Sequence, residues 1–147
     1  QRAATTARIV VGPRPLEVRE IPGLTEMDLG ELEGRVFEDL TEDEKAILDA
    51  WREAPSEVQM PGGEGLSEVQ MRVVASMEPI LASHRGQNIL VVGHAFSLLT
   101  YICAAIDLDL DKLRSLFLDP LGLTTLEVHP DRVLLRGFNH VPGKPSM

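Results

Sequence analysis

The histidine at position 94 stands between the apolar run Asn88-Ile-Leu-Val-Val-Gly93 and a second apolar segment, Ala95-Phe-Ser-Leu-Leu99. An unbroken apolar run reads as a buried parallel strand, and open α/β sheets bind ligands beyond the carboxyl ends of their strands. His94 is thereby placed at a crevice where the amides of the next helix's first turn, from Ala95 onward, attract anions. An imidazole that titrates near neutrality adds positive charge there or moves a proton. Phosphate chemistry is what this arrangement suggests. The competing reading is a core histidine satisfied by packing, against which the glycine before it and the helix after it both argue. Other chemistries fit poorly. Ser97 lacks the Gly-x-Ser-x-Gly elbow of a serine hydrolase. Gly62, Gly63 and Gly65 lack the lysine ending of a Walker loop and read as a turn before a helix. The four histidines have no paired spacing, so neither a metal site nor a cofactor is expected.

For His94 to stand at such a crevice, residues 88–92 must form a strand and a helix must begin near Phe96. Upstream, Arg2 to Arg8 reads as the end of a helix closed by Gly12-Pro13. Alternation from Leu16 to Ile21 fits a half-exposed strand. The stretch from Leu24 to Gly34 carries Gly30 and Gly34 and reads as a structured loop, the kind of segment that often holds function. A helix is expected from Thr41 to Glu53, with Thr41 and Glu44 as a capping box and Ala46, Ile47, Ala50 and Trp51 as its buried stripe. Another is expected from Ser67 to Ser83 through Val69, Val73, Met77, Ile80 and Leu81, with a kink at Pro79. Leu110 to Leu118 reads as a short helix, Thr124 to Val128 and Val133 to Gly137 as strands, and the tail after Asn139 as loose.

The chain has 147 residues, 44% apolar and 25% charged, which fits one soluble globular domain spanning 1–147. No apolar run is long enough to span a bilayer. A net charge of −9 argues against nucleic-acid or acidic-membrane partners, so an anionic ligand must be caught locally. The single Cys103 lies in an apolar run and reads as a buried residue in a reducing compartment, which makes the cytoplasm the expected location.

Four motifs occur in order: Arg2-Ala3-x-x-Thr6-Ala7, Leu24-x-Glu26-x-x-x-Gly30-x-x-Glu33-Gly34, Pro61-x-Gly63-Glu64 and Val91-Val92-Gly93-His94. Together they resemble the histidine phosphatase superfamily, also called phosphoglycerate mutase-like. The resemblance implies a three-layer α/β/α fold with a mainly parallel central sheet. It implies Arg2, His94 and Ala95 as phosphate-binding positions, with His94 the family's second histidine and Glu26 the general acid or base. Glu33 and Glu64 match motif positions without an assigned role. The structural alternatives are a solvated helix arginine for Arg2 and one carboxylate of a solvated acidic loop for Glu26.

The activity implied is metal-independent hydrolysis of a small phosphate monoester. Phosphoryl transfer between hydroxyls in the manner of a mutase, or a noncatalytic phosphate-binding or interaction domain, are the alternatives. One departure bears on all three. The family's attacking histidine lies in an Arg-His-Gly motif ending its first strand, and no Arg-His-Gly occurs among these residues. His84, His129 and His140 lie at a helix end, in a turn and in the tail. The first strand is therefore expected either in a segment preceding Gln1, the favoured reading, or from a second copy in a homodimer. Substrate choice is expected to rest on the insertion between Val36 and Met60 and on side chains around Phe96.

Overall fold

The computed structural model describes residues 1–143. Four α-helices form among the described residues: α1 (Arg2–Val11), α2 (Glu42–Glu53), α3 (Leu66–Ser83) and α4 (Ala95–Ala105). Two strands follow, β1 (Leu123–Val128) and β2 (Val133–His140). Helix α2 begins where its capping box requires. The Thr41 hydroxyl accepts from the Glu44 amide at 3.3 Å, and the Glu44 carboxylate accepts from the Thr41 amide at 2.7 Å. Its inner face is Ile47, Leu48 and Trp51, whereas Ala46 and Ala50 are exposed. The stripe is thus turned by one position from the expected one. In α3, Val69, Val73 and Met77 recur every four residues and are all buried, with Pro79 inside the helix. The short helix expected over Leu110 to Leu118 is a 3₁₀ helix over Leu110–Ser115, with Leu113 buried in the core.

The core lies between α3 and α4 and is closed by Met27, Leu32, Leu40, Met60 and Leu113 from the connecting segments. Cys103 is fully buried within it, and burial pushes its thiol pKa up. Gln70 on α3 donates to the Thr100 carbonyl on α4 at 3.0 Å, which cross-links the two helices. No helix among the described residues is long and apolar enough to cross a membrane.

The sheet differs from the expected one. Among the described residues it is a two-stranded antiparallel hairpin, with Leu126 opposite Leu135 and Val128 opposite Val133. The segments 16–21 and 88–92, read as strands from their apolar patterns, form no ladder. Backbone groups of residues 17–20 and 88–93 make no hydrogen bond among the described residues. The reason is physical: side-chain pattern selects an extended conformation, but a ladder also needs a neighbouring strand. The expected parallel central sheet is therefore not present among the described residues. Of the tail expected to be loose, residues 144–147 lie outside the described residues.

Candidate functional site

The loop carrying Glu26 is folded by short-range contacts and then fixed by a second loop. Asp28 accepts the Gly30 amide on its own carboxylate at 2.8 Å, a turn closed by a side chain. Gly30 has φ +55°, and a Cβ there would meet the Pro61 carbonyl oxygen at 2.1 Å. A Cβ on Gly63 would meet the Asp28 carbonyl oxygen at 2.4 Å. The two loops therefore touch backbone to backbone, and two bonds join them: Glu31 amide to Pro61 carbonyl and Glu64 amide to Asp28 carbonyl, both 2.8 Å. Next to Glu26, Met27 is buried and anchors the loop in the core.

His94 is the N-cap of α4, with extended φ and ψ. Its amide donates to the Ser97 hydroxyl at 3.3 Å, and its carbonyl accepts from the Leu98 amide at 3.0 Å. Its imidazole is half-buried and makes no hydrogen bond among the described residues. The first amides of a helix have no partner inside the helix. Here the Glu26 carboxylate supplies it. One oxygen accepts the Ser97 amide at 3.1 Å and the Met27 amide at 3.0 Å, and the other accepts the Phe96 amide at 3.3 Å. A negative charge at this end of a helix is electrostatically favoured.

The structure thus brings Glu26 to the turn that follows His94, across a sequence separation of about seventy residues. Of the neighbouring acidic groups that compete for the role, Glu33 is exposed and its carboxylate makes no bond among the described residues. Arg2 opens α1, is exposed, and makes no guanidinium bond to Glu26 or His94. Ala95 is exposed, and its amide, unlike those of Phe96 and Ser97, is not taken by Glu26.

Glu64 has a structural role. Both its oxygens accept from the Arg72 guanidinium, at 2.6 and 2.8 Å, and one also accepts the Asp28 amide at 3.0 Å. The Arg72 hydrogen bonds, with the Asp28 amide, hold its pKa below the usual carboxylate value. Sequence reasoning missed Arg72. The available signal was a charged residue three positions after Val69, on the apolar face of α3.

The insertion from Val36 to Met60 reaches the site through aromatic packing. Trp51 of α2 meets Phe96 edge-on, with centroids 5.7 Å apart and planes at 84°. Phe37, Leu40, Leu48 and Met60 of the insertion also wall an apolar cavity of about 220 Å³ together with Leu29 and Leu32 of the preceding loop. Arg35, the charged residue at that cavity, is engaged by Glu44 and by the Asp39 carbonyl. The cavity therefore suits an apolar group better than a phosphate. Among the described residues no cluster of histidine, cysteine and carboxylate side chains could hold a metal ion.

The family model described as histidine phosphatase superfamily (branch 1) matches residues 1–141. Phosphoserine phosphatase 1 of Hydrogenobacter thermophilus is 27% identical over 139 residues, covering 95% of this chain and 66% of that protein. The adenosylcobalamin/alpha-ribazole phosphatase of Escherichia coli K12 is 29% identical over 139 residues, covering 95% of this chain and 68% of that protein. Among solved structures, Bacillus stearothermophilus YhfR superposes with a TM-score of 0.85 at 29% identity, covering 99% of this chain and 70% of that one. The chain spans about two thirds of the length of these two phosphatases and about a third of the length of several other relatives. The match of the family model over residues 1–141 makes this chain a member of the histidine phosphatase superfamily, branch 1.

Proposed function

We propose that this chain serves metal-independent phosphomonoester hydrolysis through a phosphohistidine intermediate, with the attacking histidine supplied by a segment preceding Gln1. The observation that carries the reading is the Glu26 carboxylate seated on the Phe96 and Ser97 amides, in the turn that begins at His94. Relatives named as phosphatases support hydrolysis as the reaction class. In this reading His94 donates to a nonbridging phosphate oxygen, and Arg2 binds two such oxygens through its planar fork. The Ala95 amide supplies a further donor. Phosphoryl transfer spreads charge over these oxygens, so positioning and neutralisation are most of the protein's task.

The steps balance as follows. The supplied imidazole attacks phosphorus, the bond from phosphorus to the ester oxygen breaks, and the Glu26 carboxyl protonates that oxygen as it leaves. Water then attacks the phosphohistidine, the Glu26 carboxylate takes its proton, and the phosphorus–nitrogen pair returns to the imidazole. Residues 17–20 and 88–92 become strands of a parallel central layer when the supplied strand gives them a partner. The Trp51–Phe96 pair next to the turn that begins at His94 suits an ester whose alcohol carries an apolar portion.

A second reading, a noncatalytic phosphate-binding domain, has one specific observation in its favour. The other imidazoles are placed elsewhere: His84 bonds Ser83 and the Ile80 carbonyl, His129 faces Glu127, and His140 is exposed at the end of β2. Hydrolysis of an alkyl phosphate and of p-nitrophenyl phosphate separates the two, measured for the chain with and without an N-terminal segment containing Arg-His-Gly. Turnover that appears only with the segment is expected. It should be abolished by His94→Ala and reduced roughly 10²–10⁴-fold by Glu26→Gln on the alkyl ester. Phosphate binding with no turnover in either form would establish the binding domain instead.

A further inference from the structure

The Arg72 side chain uses its entire donor set on two groups that flank the site. A guanidinium has five N–H donors in a fixed fork. Two face the Glu64 carboxylate, from Nε at 2.6 Å and Nη2 at 2.8 Å. The other three go to main-chain carbonyls of the Glu26 loop: Gly23 at 2.9 Å, Thr25 at 2.9 Å and Glu26 itself at 3.0 Å. Beyond Glu26, the Glu64 carboxylate takes the Asp28 amide and its own amide bonds the Asp28 carbonyl. The loop is therefore gripped on both sides of the residue that reaches α4. Gly23 lies so close to α3 that a Cβ on it would meet the Ser76 hydroxyl at 1.9 Å, so the loop is pressed onto the helix bearing Arg72.

We propose that Arg72, held by Glu64, is a positioning residue that fixes the Glu26 main chain so that its carboxylate reaches the Phe96 and Ser97 amides beside His94. This deepens the functional reading above and rests on it only where turnover is concerned. The side chain is about three-quarters buried, 23% exposed against 25% for Glu64, so its bonds are not competed away by bulk water. Lysine cannot replace it. An ammonium carries a comparable charge but presents its three donors from one nitrogen, and cannot span a carboxylate and three carbonyls at once.

The test has one arm that needs no activity. The Phe96 and Ser97 amides lie in the first helical turn, where only the Glu26 carboxylate protects them. Amide hydrogen exchange of the 147-residue chain should show both amides losing protection about tenfold or more in Arg72→Lys, approaching their rates in Glu26→Ala. Core amides of Val73 and Cys103 should keep theirs. If Arg72→Lys fails to fold, Glu64→Gln, which leaves Arg72 in place but removes its anionic anchor, should show the same selective loss. Wild-type protection of Phe96 and Ser97 in a folded variant overturns the proposal.

The second arm uses the chain joined to the Arg-His-Gly segment. Arg72→Lys should lower kcat at least tenfold on an alkyl phosphate, whose leaving group needs a proton, and less than about threefold on p-nitrophenyl phosphate. KM should hold, and the loss should vanish in a Glu26→Gln background. Equal losses on both esters, or a loss that persists without Glu26, overturn positioning through Glu26. Absence of any turnover in the wild type sinks the hydrolytic reading alone, and the exchange arm then decides the role of Arg72.

Discussion

Glu26 satisfies two demands with one carboxylate. It closes the open end of α4 through the Phe96 and Ser97 amides, and in the proposed reaction it is also the group that moves a proton. The two roles are compatible because each carboxylate oxygen has more than one lone pair and the Phe96-facing oxygen accepts a single bond among the described residues. The arrangement also leaves the Ala95 amide at the start of α4 untaken by Glu26, and in the proposed reaction that amide joins the His94 imidazole and the Arg2 guanidinium as phosphate donors. A capping carboxylate has a measurable stability contribution that does not depend on catalysis. Glu26→Ala should destabilise the chain by about 1 kcal/mol, seen as a fall of roughly 2–4 °C in the thermal midpoint for a domain of this size. An unchanged midpoint would show that water replaces the carboxylate at α4 without loss.

At the level of elements, the site is a junction between two loops and two helices, and glycine makes the junction possible. Gly30 and Gly63 let the Glu26 loop and the 61–64 turn meet at backbone distance, while Arg72 of α3 binds both. Gly34 provides an internal comparison. It too has positive φ, at +70°, but a Cβ there would meet nothing within 4 Å. Gly34→Ala should therefore cost only the backbone preference, about 1 kcal/mol. Gly30→Ala should cost that and roughly 1–3 kcal/mol more, because strain at Gly30 is joined by a collision with the Pro61 carbonyl. Denaturant midpoints measured for both variants check this, and equal losses would show that the loops part easily. The insertion helix α2 is an independent element by contrast. Its start is fixed by Thr41 and Glu44, and it meets Phe96 through Trp51.

The whole molecule leaves much of its apolar surface uncovered. Its accessible surface is 10076 Å², whereas size scaling gives about 7,500 Å² for a compact monomer of this mass. Part of the exposed apolar surface lies at α1 and beside residues 88–93. Helix α1 has no buried residue, Ile9 is 75% exposed and Leu90 57%, and the main chain of 88–93 makes no hydrogen bond among the described residues. Unpaired extended backbone flanked by apolar side chains is a template for strand addition. The 147-residue chain should therefore associate with itself as its concentration rises into the micromolar range. Leu90→Lys, which places a charge on the extended segment, should shift it toward monomer in sedimentation velocity. A wild-type chain that stays monomeric throughout would refute this.

How much was legible beforehand follows from the range of each interaction. The sequence alone determined what is local: the Thr41–Glu44 box, the four-residue apolar spacing of α3, the hairpin near His129, and the start of a helix just after Gly93-His94. These depend on neighbours within a turn or two, so residue type and spacing suffice. Tertiary structure alone decided which carboxylate of the acidic loop reaches α4, because Glu26 and Glu33 differ only in where the folded loop points them. It also turned Arg72 from a surface-type residue into the grip on that loop, using carbonyls more than forty positions away. The same rule explains the strands. An apolar run makes residues 88–92 extended by itself, but a sheet is a relation between segments, and only the fold determines whether two of them lie side by side.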